Sequence, residues 1–237
     1  MAFGDVIREA ASPSTAPYGI GGDADTIWHC DYSTDKIYEL STTDFSKKRS
    51  RAGPSTNTLG IGGDANTIWH CDNTADKIYE LDTTDLSAIR EAASLKHDPV
   101  GIGGDADTIW HCDFGTDKIY ELSTTDFSKK RSRASPSTSP RGIGGDANTI
   151  WHCDNTADKI YELDTTDLSN LREAASPSTS PVGIGGDAAT IWHCDETADK
   201  IYELDAAAVV APTVTTQAAD LVEATTARGN GNITDTG

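Results

Sequence analysis

Apolar residues fall along this chain in short runs, and the same runs return five times. Thr-Ile-Trp-His-Cys-Asp recurs with its tryptophans at Trp28, Trp69, Trp110, Trp151 and Trp192, always 41 residues apart. Gly-Ile-Gly-Gly-Asp precedes each copy, and Lys-Ile-Tyr-Glu-Leu follows it. The tryptophan run and the Lys-Ile-Tyr-Glu-Leu run are five or six residues with β-branched and aromatic side chains, the composition of strands. Sequences such as Asp-Ala-Asn-Thr before the tryptophan run and Asp-Asn-Thr-Ala-Asp after it carry turn chemistry. Ile-Tyr-Glu-Leu and Leu-Arg-Glu-Ala-Ala resemble helical turns in isolation, but no window sustains a 3.6-residue period. Leu171-Arg172-Glu173-Ala174-Ala175 reads as a further strand, Pro-Ser-Thr-Ser-Pro after it as a loop, and Gly183-Ile184-Gly185-Gly186 as the remaining strand. Four short strands in 41 residues is the size of one propeller blade.

The two ends of the chain predict how the blades close. The fifth unit stops at Ile201-Tyr202-Glu203-Leu204-Asp205 and lacks its fourth strand. That strand sits at the start instead, where residues 6–15 match residues 170–179. Lending it to the last blade closes a ring and removes an exposed sheet edge. The expected fold is therefore all-β, a five-bladed β-propeller with four antiparallel strands per blade, the N-terminal strand closing the last. Gly-Ile-Gly-Gly is expected innermost, because a missing Cβ lets crowded backbones approach. The tryptophan strand, the tyrosine strand and the Arg-Glu-Ala-Ala-type strand follow outward. Residues 1–205 form the propeller, with residues 3–15 supplying the outer strand of blade five. Residues 206–237 form an Ala/Thr-rich tail or assembly arm. Within it residues 209–215 read as extended, 218–227 as a short helix and Asn232-Ile233-Thr234 as a glycosylation sequon.

Composition agrees with thin, locally buried layers: 36% of residues are hydrophobic and 7% aromatic. Charge adds a constraint on partners. With 19 Lys+Arg against 38 Asp+Glu the net charge is −19, which disfavours nucleic acid as a partner. No run is apolar enough for a membrane span, and no secretory signal is visible. Localisation stays open on these grounds, with an extracellular or virion surface preferred over the cytoplasm.

The stretch Pro181-Val182-Gly183-Ile184-Gly185-Gly186-Asp187, continuing through Thr190-Ile191-Trp192-His193-Cys194-Asp195 to Lys200-Ile201-Tyr202-Glu203-Leu204-Asp205, resembles an NHL-type repeat. The likeness covers all five blades. It departs from the family in carrying His-Cys where small apolar residues are common, and in having five blades where six are usual. The resemblance implies a propeller used mainly for binding, with some members of the family being lyases.

Candidate chemistry divides into what every blade repeats and what it does not. His29-Cys30, His70-Cys71, His111-Cys112, His152-Cys153 and His193-Cys194 carry metal-ligand side chains. Neighbouring residues on a strand face opposite sides, so one pair cannot hold one ion. The pairs read as structural, a cysteine packed between blades beside a hydrogen-bonded histidine, with the cysteines as free thiols. The tryptophans and tyrosines read as inter-blade packing, and the aspartates as turn residues. Calcium at a loop such as Asp72-Asn73-Thr74-Ala75-Asp76 finds no support in its spacing, and no cofactor is expected. Two loop sets differ between blades and belong to one face. After each Cys-Asp come Tyr32, Asn73, Phe114, Asn155 and Glu196, and the loops entering the inner strands include Tyr18 and residues 95–98. That face is the expected binding surface. Blades one and three also carry Lys47, Lys48, Arg49 and Arg51, and Lys129, Lys130, Arg131 and Arg133, read either as protection of the outer edge or as an assembly rim.

Repeated residues argue against a single catalytic centre, which needs unlike groups at one point. The expectation is thus a non-enzymatic scaffold, not an enzyme, joined to other protein subunits as a homo-oligomer or polymer. The alternative is a lectin-like binder of glycans with one weak site per blade. A third reading is a metal-dependent lyase using His and Asp near the axis.

Overall fold

A computed structural model describes residues 2–206, 214–216 and 231–233. It contains five four-stranded antiparallel sheets arranged as a ring. Strand β1 (Val6–Ala11) comes first in the chain but last in the ring. Blade one holds β2 (Pro17–Gly22), β3 (Ile27–Asp31), β4 (Lys36–Leu40) and β5 (Lys47–Ala52). Blade two holds β6 (Thr58–Gly63), β7 (Ile68–Asp72), β8 (Lys77–Leu81) and β9 (Ala88–Ala93). Blade three is β10 (Pro99–Gly104), β11 (Ile109–Asp113), β12 (Lys118–Leu122) and β13 (Lys129–Ala134). Blade four is β14 (Pro140–Gly145), β15 (Ile150–Asp154), β16 (Lys159–Leu163) and β17 (Asn170–Ala175). Blade five is β18 (Pro181–Gly186), β19 (Thr190–Asp195) and β20 (Lys200–Asp205), completed by β1.

Closure reproduces the register of an ordinary blade. Arg8 faces Glu203 and Glu9 faces Tyr202, as Arg172 faces Glu162 and Glu173 faces Tyr161 in blade four. The N-terminus adds packing beyond the strand, since Phe3 stacks on Trp151 with ring centroids 5.7 Å apart. The expected helix at 218–227 and most of the expected extended arm at 209–215 lie outside the described residues, as does Thr234 of the sequon. Within the tail, Val214–Thr216 pairs antiparallel with Gly231–Ile233.

Glycine at the axis has a direct geometric cause. A Cβ on Gly21 would lie 2.9 Å from the Cα of Gly62, and one on Gly185 would lie 2.9 Å from the Cα of Gly21. Five inner strands fit around the axis only because this position carries no side chain.

Three repeated contacts bind each blade to the next. The Trp28 indole donates to the carbonyl of Asp64 at 2.8 Å, and the Trp192 indole donates across the closing seam to Asp23 at 2.9 Å. Each tryptophan is 1% exposed, so burial adds roughly 1.5–3 kcal/mol apiece to the seam. Beside it a buried cysteine packs on the neighbouring inner strand, as Cys30 does where its thiol donates to the Leu59 carbonyl at 2.9 Å. Burial pushes these thiols well up, and all five are free. Outside, an arginine latches the seam. Arg49 pairs with Glu39 of its own blade and donates to the carbonyls of Thr83 and Thr84 in the next. Arg8 does the same with Glu203, Thr42 and Thr43 across the closing seam.

The basic rim of blades one and three is therefore largely engaged within the molecule. Arg49 and Arg131 are latches of the kind found on every blade. Lys48 and Lys130 reach Glu39 and Glu121 at 3.4 and 3.3 Å. Arg51 and Arg133 each reach an aspartate of the next blade, Asp85 and Asp167, at 3.4 Å. Lys47 and Lys129 stay exposed at the start of the outer strand.

Candidate functional site

The histidines stand on the second strand of each blade, one layer out from the axis. His29 Nδ1 donates to the Gly19 carbonyl at 2.8 Å, and its Nε2 accepts from Ser12 Oγ at 3.2 Å. The same pair of bonds recurs at His152 with Ser135 and at His193 with Ser176. Burial holds all five imidazoles down at about 4, so they are neutral at physiological pH. The glycine strand lies between these rings and the axis. Among the described residues no three His, Cys, Asp or Glu side chains converge to hold an ion.

The axis ends in two different mouths. One is lined by Gly22-Asp23 and its four equivalents, Gly63-Asp64, Gly104-Asp105, Gly145-Asp146 and Gly186-Asp187, around a cavity of about 210 Å³. Its carboxylates serve their own turns: Asp23 Oδ1 accepts the Asp25 and Thr26 amides at 2.8 Å. The Asp72 loop is also a turn, with Oδ1 accepting the Ala75 amide at 2.7 Å.

The opposite mouth is a funnel of about 360 Å³ lined by unlike residues. Tyr32, Asn73, Phe114 and Glu196 reach it from the loops after Cys-Asp; Tyr18, Leu59, Val100 and Arg141 reach it from the inner strands. Asn155 is turned aside, its amide donating to Ser180 at 3.1 Å. Arg141, from blade four, donates through Nη1 to the Tyr18 hydroxyl of blade one at 2.8 Å. These blades are not neighbours in the ring, so the bond spans the mouth. Tyr18 also lies against Tyr32, with centroids 6.3 Å apart, and the Arg141 guanidinium covers the Phe114 ring at 4.5 Å. The result is a bar of alternating contacts from blade one to blade three. Burial pushes the Tyr18 phenol up to about 12 despite the opposing charge of Arg141. It is a protonated hydroxyl that accepts from arginine and keeps its own proton to donate. Asp98, the remaining carboxylate in the funnel beside Glu196, accepts from Asn73 Nδ2 at 3.2 Å.

Sequence reasoning passed over Arg141 and took Tyr18 only as loop variation. The available signal was positional. The residue before the inner Gly-Ile-Gly-Gly is Tyr18, Leu59, Val100, Arg141 or Val182, and a lone arginine among apolar residues marks a broken repeat.

The fold and the funnel define a five-bladed propeller with one asymmetric mouth on its axis. Among the solved structures it resembles are enzymes. Glutaminyl cyclase of Myxococcus xanthus matches with a TM-score of 0.68 at 12% identity, over 85% of this chain and 96% of that one. Virginiamycin B lyase from Staphylococcus aureus matches with a TM-score of 0.51 at 25% identity, over 82% of this chain and 67% of that one. A streptogramin B lyase matches with a TM-score of 0.50 at 21% identity, over 82% and 66%. No protein-family model matches the chain, the NHL repeat included, and no curated protein matches it.

These likenesses correct two linked expectations, that the chain is a non-enzymatic scaffold and that it is not an enzyme. The propeller with 25% identity to it is a lyase. The argument from repetition failed for a physical reason. It held for the repeated positions, whereas Tyr18 and Arg141 on the inner strands and Glu196 in a loop lie where the repeat lapses, and three blades bring them into one cavity.

Proposed function

We propose that the chain is an enzyme of the lyase type whose active site is the asymmetric funnel. One observation carries the reading: an acid, a base and a cation of different blades, Tyr18, Glu196 and Arg141, line one cavity on the axis. Convergence of unlike groups is what catalysis requires, and the likeness to virginiamycin B lyase at 25% identity gives the reaction class.

In this reading Glu196 removes a proton from a carbon next to a carbonyl. The freed electron pair forms a C=C bond, and the C–O bond to the leaving group breaks. The Tyr18 hydroxyl gives its proton to the departing oxygen, and Arg141 steadies the phenolate until the proton taken up by Glu196 returns to it through solvent.

The test is turnover of a panel of linear and cyclic esters, virginiamycin B included, in ¹⁸O-labelled water. Elimination yields a product with a new C=C bond and no label, and Glu196→Gln lowers its rate roughly a hundredfold or more. Label in the product, no turnover across the panel, or an unchanged Glu196→Gln rate overturns the proposal.

A further inference from the structure

Arg141 differs from every other arginine the structure describes. Arg8, Arg49, Arg51, Arg90, Arg131, Arg133 and Arg172 each pair with a carboxylate. Arg141 has none, although Glu196 and Asp98 line the same cavity. Its one hydrogen bond runs from Nη1 to a neutral phenol, and its Nε is buried with no partner. Nη2 thus carries no hydrogen bond in a half-buried site, beside a fully buried Nε that no protein atom satisfies. An unpaired charge of this kind costs stability unless something else completes it.

The rest of the cavity says what that is. Neither carboxylate there is ion-paired with Arg141: Asp98 accepts from Asn73 and Glu196 is exposed. A planar guanidinium edge matches the two oxygens of a carboxylate or a phosphate. Phe114 stacks on one face of the guanidinium, and Tyr18 and Tyr32 continue the wall, which favours a flat body behind the anionic group. In a molecule of net charge −19, an anion enters only where a cation is left free for it.

We infer that Arg141 is an anion anchor, and that the funnel takes small oxyanions, carboxylate or phosphate, carried on a planar or aromatic body. The inference rests on reading the funnel as the substrate site, and it names the class of substrate. Binding through Nη2 leaves the Nη1 bond to Tyr18 in place.

NMR titration of the full chain at low salt with benzoate, phenyl phosphate and benzamide tests this. Benzoate, phenyl phosphate or both should bind roughly tenfold or more tightly than benzamide, and the tighter of the two names the anion. Arg141→Val places there the residue found at Val100 and Val182, so the fold tolerates it. It should erase the preference, while Arg141→Lys should keep part of it. Glu196→Gln should keep anion binding while abolishing turnover, so failure of the enzyme reading and failure of the anchor are told apart. Equal binding of benzamide and benzoate, or a preference that survives Arg141→Val, overturns the inference.

Discussion

The two mouths of the axis lie at opposite ends of the same inner strands and differ in the residues those ends carry. At one end Gly-Asp recurs five times, each carboxylate closing its own turn and each aspartate carbonyl receiving a tryptophan from the neighbouring blade. At the other end the same count of positions holds Tyr18, Leu59, Val100, Arg141 and Val182, and no blade repeats its neighbour. The first mouth is a joint, and a joint works best when every copy is alike. On the proposed reading the second takes a substrate without fivefold symmetry, which like residues would recognise poorly. Repetition marks what holds the ring, and the proposal places the chemistry at one of its lapses.

The strongest test of the repeated part is to take away the piece that closes it. Deleting residues 2–15 removes β1, the Arg8 latch to blade one and the Phe3 stack on Trp151. It leaves the edge of β20 unpaired. We expect loss of the cooperative thermal transition by circular dichroism and aggregation on gel filtration, with partial rescue by a peptide of residues 2–15. A deletion variant that melts as the full chain does would show that the ring is held by the other seams alone.

Acid tests the same part more gradually. All five buried histidines titrate near 4 in the folded ring and near 6.5 once unfolded. Between these values the unfolded chain binds more protons, so stability is full above about pH 6.5 and falls as pH drops towards 4. Five equivalent sites make the fall steep, roughly 7 kcal/mol per pH unit at its limit. Urea midpoints measured from pH 7.5 down to 5 should drop sharply below 6.5. A flat series would mean that the imidazoles reach water in the folded state. The funnel has no such fivefold multiplication, and its binding should follow the few groups that line it.

Much of this was legible in the residues. Blade number, strand order and the lent N-terminal strand all follow from a spacing of 41 and from the match of residues 6–15 to 170–179. The variable loops, Tyr32, Asn73, Phe114 and Glu196 among them, could be assigned to one face because strand direction alternates. Arg141 could not be read as a site. Its meaning lies in a bond to Tyr18 across 123 positions of sequence and in the absence of a carboxylate that other arginines have. The rim arginines show the same limit of sequence: nothing in Lys-Lys-Arg reveals that Arg49 and Arg131 pair with Glu39 and Glu121 and reach the next blade.

The smallest expected effect lies in blade two, where the repeat breaks inside the joint itself. The serine that meets histidine Nε2 in blades one, four and five is Gly53 here, and His70 Nε2 is left unpaired in a buried site. Pro17, Pro99, Pro140 and Pro181 stand where blade two has Thr58, and a Cβ on Gly53 would come within 2.3 Å of the Thr58 Cγ2. The two departures are therefore one change. Gly53→Ser alone should destabilise by about 1 kcal/mol or more through that clash. Thr58→Pro alone gives up the Thr58 hydroxyl's bond to the Asp31 carbonyl at 3.0 Å. Together they relieve the clash, so the pair should cost less than the sum of the single changes. A double-mutant cycle by urea unfolding should show coupling of about 1–2 kcal/mol. Strictly additive effects would mean that blade two is shaped by something other than this pair, and that its lapse from the repeat belongs with those of the funnel.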